Sequence, residues 1–96
     1  MKGETSIYST TKERIHLLRF ANKEVINNET EKRKRSLALI RAMRLGNLFK
    51  NKVSIYFRDS LNRLIKVNTT IWGVTQKDVI LKKGTLIPIH SIERVE

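Results

Sequence analysis

The hydrophobic positions of the chain follow two different periods. In the N-terminal half, apolar side chains recur every three or four positions, as on one face of an amphipathic helix. After Lys52, apolar and polar side chains alternate in short runs, as in half-buried β-strands. This order predicts an α+β protein in which N-terminal helices precede a small antiparallel β-domain.

The first predicted helix begins at Thr10 and ends at Asn27 and Asn28. Thr10 and Glu13 have the spacing of a capping box, in which a hydroxyl and a carboxylate satisfy free amides at a helix start. One face of this helix collects the apolar side chains of Ile15, Leu18, Ala21, Val25 and Ile26. Residues 1–8 show no period, and we expect them to form a loose arm.

The second predicted helix spans residues 31–45. Gly46 and Asn47 follow it and suit the left-handed turn that closes many helices. Its apolar arc contains Ala38, Leu39, Ile40, Ala42, Met43 and Leu45, and its other side carries Arg33, Lys34, Arg41 and Arg44 around Leu37. We therefore expect this helix to dock on the core and to present cations outward.

The C-terminal half predicts about five short strands joined by tight turns. In the first strand, Ile55 and Phe57 point inward, and Tyr56 points outward beside Arg58. The second strand contains Gly73, where a barrel strand can bend sharply. The strands are expected at 53–58, 64–75, 78–83, 86–89 and 92–95, with turns at 59–63 and at Gly84. Strands this short favour a small closed antiparallel β-barrel.

The length of 96 residues supports one hydrophobic core. We divide the chain into an arm with an amphipathic helix at 1–30, and a basic helix with a five-stranded barrel at 31–96. Pro88 interrupts the fourth predicted strand, and a proline is tolerated at a sheet edge. An open edge there can pair with another copy of the chain, so the edge strands are a candidate homo-oligomer interface.

The positive charge of the chain is concentrated in its middle. The net charge is +11, and residues 32–66 hold eleven basic side chains against Asp59 alone. Such a surface attracts polyanions, and we predict nucleic acid as the partner, with RNA favoured. Tyr56 is the candidate for base stacking, next to the basic side chains. The predicted contacts are Lys32, Arg33, Lys34, Arg35, Arg41, Arg44, Lys50, Lys52, Tyr56, Arg58, Arg63 and Lys66.

Two further residues are weighed as candidates. Trp72 lies on the opposite face of its predicted strand from Ile71, and it suits a base platform, a subunit contact or the seam under a helix. His90 is isolated among apolar residues, which favours a packed, hydrogen-bonded histidine over a ligand or a catalyst.

Several classes of protein are disfavoured by the sequence. The chain has no cysteine, no His, Asp and Glu cluster with metal-ligand spacing, and no glycine-rich phosphate loop before a helix. We therefore expect no enzyme, no catalytic residue, no metal and no cofactor. No apolar segment approaches the length of a signal peptide core or a membrane span, so we expect a cytoplasmic protein without a membrane partner.

Short sequence motifs in the strand region distantly resemble the bacterial Sm-like RNA chaperone family or another family of SH3-like small barrels. The resemblance covers residues 38–96 and is carried by Val53-Ser54-Ile55-Tyr56, Ile71, Val79-Ile80-Leu81 with Lys83, and His90-Ser91-Ile92. It implies a bent five-stranded sheet, ring assembly, RNA binding and a role in post-transcriptional regulation.

Family roles transfer to individual positions only through this resemblance. Tyr56 would stack adenines, His90 would belong to a uridine pocket, and Arg41 with Arg44 would form an arginine patch on the rim of the ring. The chain departs from the family at Ile89, where the family has a lysine, and at Asp78, where the family has a uridine-stacking aromatic residue.

Two other functions remain open from the sequence. One is a duplex DNA-binding regulator that places the basic helix in the major groove, although asparagine and glutamine for base reading are scarce on the exposed face. The other is an interaction module of a larger assembly, in which the N-terminal helix and the apolar arc of the second helix contact a protein partner.

Overall fold

The computed structural model describes residues 6–96 as one helix and two open sheets. One sheet has the strand order β1-β3-β2-β7, and the other has the order β4-β5-β6. The elements are β1 (Ile7–Thr10), α1 (Glu29–Phe49), β2 (Val53–Arg58), β3 (Leu64–Thr69), β4 (Ile71–Val74), β5 (Asp78–Leu81), β6 (Leu86–Pro88) and β7 (Ile92–Val95). The helix packs against β4 and β7, so it contacts both sheets.

The predicted barrel is wrong, although the α+β content is as expected. The long predicted strand breaks at Thr70 into β3 and β4, and these two strands pair in different sheets. The free edge of β3 is taken by β1, which lies parallel to it and pairs Ile7 with Leu64. The sheets therefore stay open within residues 6–96, and the one helix lies in the middle of the chain rather than at its start.

The first predicted helix is also wrong. A short 3-10 helix forms at Lys12–Leu17, and the capping box does not form: the Thr10 hydroxyl donates to Thr11 O at 3.5 Å, and Glu13 pairs with Lys12 at 2.7 Å. The chain then extends along the sheets, where the Ala21 N–H donates to Arg58 O at 3.0 Å and the Val25 N–H donates to His90 O at 2.9 Å. Backbone pairing with distant strands overrides the helical period here, as tertiary contacts often override local propensity.

The basic helix forms, but it begins earlier and ends later than the predicted range 31–45. Asn28 caps its start by accepting a hydrogen bond from the Glu31 N–H at 3.1 Å. The helix continues through Gly46 to Phe49, and Lys50 closes it with a left-handed φ of 57° and an N–H bond to Gly46 O at 2.9 Å. Gly46 is therefore not the terminator that the sequence predicted.

Gly46 has a packing role instead. A Cβ atom at this position would lie 2.5 Å from the carbonyl oxygen of Ile71 and 3.0 Å from Cγ2 of Thr70. Both neighbours belong to the region where β3 becomes β4, so the absence of a side chain lets the helix approach the backbone there.

Replacing Gly46 by alanine is expected to lower the free energy of unfolding by about 1 to 2 kcal/mol, because the methyl group must displace backbone atoms. Helix propensity alone predicts the opposite sign, a gain of about 1 kcal/mol. Urea denaturation of G46A and of S36A, an exposed helix position, separates the two effects. Equal or greater stability of G46A than of the wild type would contradict the close approach.

One core joins the helix, the 3-10 segment and every strand except β1. Ile15 from the N-terminal segment, Leu39 and Ala42 from α1, and the inward side chains of both sheets form a single buried cluster. Ile55 and Phe57 point into it as predicted, each with no exposed surface. Tyr56 points to the opposite face and lies outside this cluster, as predicted, but it is only 7% exposed because the side chains of Lys66 and Arg94 cover its ring. Pro88 lies at the end of an edge strand, which confirms its predicted tolerance.

The predicted turn at 59–63 is confirmed and is organised by Asp59. The Asp59 carboxylate is buried and accepts hydrogen bonds from the N–H groups of Leu61 at 3.0 Å and Arg63 at 2.8 Å. The Arg63 guanidinium adds an ion pair at 2.7 Å. Asn62 adopts a left-handed φ of 62°, which asparagine tolerates better than most residues.

Candidate nucleic-acid interface

The predicted contact residues do not form one continuous surface. Arg35 is buried, with its guanidinium in a bidentate ion pair to Glu24 at 2.6 and 2.7 Å. The same guanidinium donates to the carbonyl oxygen of Ile92 at 2.9 Å. Arg35 therefore joins α1 to the N-terminal segment and to β7, and it is withdrawn from any surface that a ligand could touch.

The other basic residues at the start of α1 differ in whether a carboxylate neutralises them. Lys32 pairs with Glu29 at 3.7 Å, and Lys34 pairs with Glu31 at 3.2 Å. Arg33 is exposed on the helix. Within residues 6–96, the run of four basic residues thus contributes one buried cation, two paired cations and one cation without an ion pair, instead of a uniform cluster.

The basic residues of β2 and β3 are also largely paired. Arg58 forms an ion pair with Glu93 at 2.9 Å, and Arg63 pairs with Asp59. Lys66 and Arg94 cover the ring of Tyr56, with their cationic groups 5.8 and 4.0 Å from its centroid. Because Tyr56 is buried under these side chains, it offers no open ring for a base to stack on.

A groove beside the C-terminal end of α1 brings four lysines together. Lys50 closes α1, Lys52 precedes β2, Lys82 follows β5, and Lys12 begins the 3-10 turn of the N-terminal segment. These four residues line a groove of about 530 Å³ together with Thr10, Thr11, Glu13, Asn68, Thr69, Thr70 and Trp72. The sequence predicted only Lys50 and Lys52 of this set.

The charge of the groove is mostly uncompensated. Lys12 pairs with Glu13 at 2.7 Å, whereas Lys50, Lys52 and Lys82 take part in none of the ion pairs formed by residues 6–96. All three of these lysines are exposed. Flexible ammonium groups that surround mostly uncharged side chains are suited to contact phosphate oxygens.

Trp72 supplies an aromatic surface to this groove. It lies on β4, next to the buried Ile71, and it is 49% exposed. Of the three roles that the sequence left open, the seam under the helix is excluded by this exposure. Lys12 and Lys82 were missed as site residues because they lie outside the basic stretch 32–66, and no local pattern connects them to it. Trp72 was weighed as a base platform, but the sequence did not connect it with the basic residues.

The outer face of α1 carries free arginines among exposed leucines. Arg33, Arg41 and Arg44 are exposed and belong to none of the ion pairs within residues 6–96. Leu37 and Leu48 lie among them and are 61% and 72% exposed. This face is separate from the groove lining and combines positive charge with apolar area.

His90 has a structural environment, as the sequence predicted. Its Nε2 atom lies 2.7 Å from the carbonyl oxygen of Ala21, in a partly buried contact. The ring thereby fastens the N-terminal segment to the turn before β7. Its Nε2 atom is therefore engaged by the protein backbone, and His90 is not among the residues that line the lysine-rich groove.

Two carboxylates set the expected response to acid. Burial raises the pKa of Glu24, but hydrogen bonds from Arg35 and from the Ile26 N–H outweigh it, so the pKa lies below its ordinary range. The pKa of Asp59 is lowered in the same way, by Arg63 and Leu61 against burial. Each folded carboxylate binds its proton more weakly than the unfolded one, so each contributes stability that is lost in acid.

We therefore expect the free energy of unfolding to be constant above about pH 5 and to fall as the pH drops below about 4, where unfolded aspartate and glutamate begin to bind protons. Urea denaturation between pH 7 and pH 3 measures this dependence. The double variant E24Q/D59N should show a flatter profile. A wild-type profile that is level down to pH 3 would contradict the pKa directions.

Neither a metal cluster nor a membrane-spanning helix is found in the part of the chain that the structure describes. Residues 6–96 contain no group of three or more His, Cys, Asp and Glu side chains arranged to hold a metal ion. Over the same residues, no helix has the length and apolar character needed to cross a bilayer.

Comparison with known protein families, with curated proteins and with solved structures finds no match to this chain. The site itself, through its charge, its shape and its exposed side chains, is therefore the guide to function.

Proposed function

We propose that the protein binds RNA in the lysine groove formed by Lys12, Lys50, Lys52, Lys82 and Trp72. The observation that carries this proposal is the convergence of four lysines from three separate segments of the chain on one groove, in which only Lys12 has a carboxylate partner within residues 6–96. Unrelieved like charge destabilises a folded chain, and a polyanion removes that cost. The contacts are mainly to phosphates, so sequence preference is weak.

The neutral residues of the groove fit the same ligand. Asn68 is exposed on β3. Thr10 ends the neighbouring strand β1, and Thr11 follows it. Amide and hydroxyl groups can donate to and accept from ribose hydroxyls and base edges. The resemblance to the Sm-like RNA chaperones points to RNA as well, but the Tyr56 and His90 roles that it implied are not part of this proposal.

The direct test is the salt dependence of binding. Fluorescence anisotropy with a labelled RNA oligonucleotide at 50 to 300 mM salt measures it. If the three unpaired lysines each neutralise one phosphate, a plot of log affinity against log salt should have a slope of about −2 for a single strand. Binding that is undetectable at low salt, or that is independent of salt, would overturn the proposal.

Duplex DNA remains the rival nucleic acid and is separated from RNA by competition. An unlabelled duplex of equal length is titrated against the bound RNA oligonucleotide. We expect the duplex to compete poorly, because the groove lies at the end of α1 and does not use the exposed face of that helix. A duplex that displaces the RNA at equal or lower concentration would favour the DNA-binding regulator.

A second candidate function, protein interaction, is supported by the outer face of α1. Leu37 and Leu48 are exposed there among Arg41 and Arg44, and an acidic amphipathic partner would cover the leucines and neutralise the arginines. The variants R41Q/R44Q and L37S/L48S decide whether this face belongs to the RNA site. Unchanged RNA affinity leaves the face free for a protein, and a large loss assigns it to RNA.

A further inference from the structure

Trp72 is the single tryptophan of the chain, and its position in the groove needs an explanation. Its ring is half exposed, whereas the core takes up most of the other apolar residues of β4 and β5. Three lysines that have no ion pair within residues 6–96, Lys50, Lys52 and Lys82, line the same groove. A large aromatic surface that lines a cationic groove is the arrangement that proteins use for unpaired nucleic-acid strands.

We propose that the groove binds a single-stranded segment of RNA and that Trp72 stacks on one of its bases. This inference rests on the proposed function and narrows it to a substrate class. In a duplex, both faces of each base are covered by neighbouring bases, so an indole can stack only where a base is unpaired. The lysines would then hold the phosphates on either side of the stacked nucleotide.

The groove has a suitable division of polarity for such a strand. The charged groups of Lys50, Lys52 and Lys82 are on exposed side chains, whereas Thr69 and Thr70 are buried at 4% and 7% exposure. Bases can therefore meet the neutral and aromatic part of the groove, while the backbone of the strand meets the cations. A polyanion without bases would use the lysines and leave Trp72 uncovered.

A subunit contact is the competing explanation for Trp72, and the surrounding charge argues against it. In a twofold symmetric interface centred on Trp72, the lysines of one copy would face the same lysines of the other. Such a like-charge juxtaposition is unfavourable, and the net charge of +11 adds to the repulsion. A single strand would neutralise the lysines with its phosphates and cover the exposed indole with a base.

The experiment uses the intrinsic fluorescence of Trp72, which reports on this position alone. The full chain is titrated with a single-stranded RNA 12-mer, with an RNA duplex of the same length and with inorganic polyphosphate. We expect saturable quenching with the single strand and little change with polyphosphate. Quenching by the duplex that equals quenching by the single strand would overturn the inference.

Variants of Trp72 supply the energetic test by anisotropy with the labelled 12-mer. W72L should weaken single-strand binding by about 5- to 150-fold, the range for loss of one stacked base. W72F, which retains an aromatic face, should recover a large part of this loss. Both variants should bind polyphosphate as the wild type does, and thermal melting checks that they are folded.

The outcomes distinguish this inference from the function on which it rests. If the 12-mer binds with strong salt dependence but Trp72 is not quenched and W72L binds normally, stacking is wrong and phosphate-directed RNA binding stands. If the 12-mer does not bind at all, both are wrong. If W72L loses affinity for polyphosphate as much as for the 12-mer, Trp72 only shapes the groove and the stacking inference fails.

Discussion

Replacing Glu24 by glutamine is expected to lower the free energy of unfolding by about 2 to 3 kcal/mol. This is less than the cost of about 3 to 5 kcal/mol for breaking a fully buried ion pair, because the Glu24 side chain is 29% exposed. The Arg35 side chain is 5% exposed, and both of its terminal nitrogens depend on the Glu24 carboxylate. With glutamine, the negative charge is lost and one of the two acceptor oxygens becomes an NH2 group that faces the guanidinium, whose Nε atom already lacks a partner. Urea denaturation followed by circular dichroism measures the change.

The matched control for this experiment is E29Q. Glu29 also pairs with a basic residue of α1, Lys32 at 3.7 Å, but its side chain is 78% exposed. An exposed pair of this kind contributes less than about 1 kcal/mol. A second control, the double variant E24L/R35M, replaces the ion pair by apolar groups and should recover most of the lost stability. Similar small effects of E24Q and E29Q would show that the buried pair is not important for folding.

The second large effect is expected in RNA binding, from K50Q/K52Q/K82Q. Each lysine that neutralises a phosphate of a single strand contributes about fivefold in affinity at 0.1 M salt, through counterion release. Loss of all three should therefore weaken binding by about 100-fold and should flatten the salt dependence. These side chains are exposed and belong to none of the ion pairs within residues 6–96, so the stability of the fold should change little.

K23Q/K34Q/K77Q is the control with the same loss of charge. Lys23, Lys34 and Lys77 are exposed, and none of them lines the groove. We expect this control to weaken RNA binding by only a few fold, through the general reduction of net charge. A loss as large as that of the groove variant would mean that the whole positive surface binds RNA, without a specific groove.

The basic stretch 32–66 shows where sequence reasoning on function succeeded and where it failed. The excess of positive charge can be counted from the sequence, and Lys50 and Lys52 do lie in the groove. The sequence does not show which cations are free. Arg35 is neutralised by Glu24, eleven positions earlier, and Arg58 by Glu93, thirty-five positions later. Such pairs are created by folding, so local charge density overestimates the free surface charge.

The groove itself could not have been predicted from any local pattern. Lys12 and Lys82 are separated along the chain by almost all of the fold, and they line one groove because the N-terminal segment runs beside β3 while Lys82 follows β5. The Lys82 N–H donates to the carbonyl oxygen of Thr70 at 3.3 Å, which holds this lysine beside the strand that carries Trp72.

The sequence by itself determined the features that depend on neighbouring residues. Alternation of apolar and polar side chains correctly assigned β2 and its inward residues Ile55 and Phe57, and the Asp59 turn followed from the local hydrogen bonds of its side chain. The central helix was predicted from its period, although its ends were misplaced.

The tertiary structure alone decided the extended course of residues 18–28, the division of the strands into two open sheets and the distribution of free charge. In each case, the deciding contact joins residues far apart in sequence: Val25 with His90, β1 with β3, and Arg35 with Ile92. A backbone N–H or a buried charge must find a partner wherever the fold provides one, and this requirement overrode the helical period of the N-terminal segment.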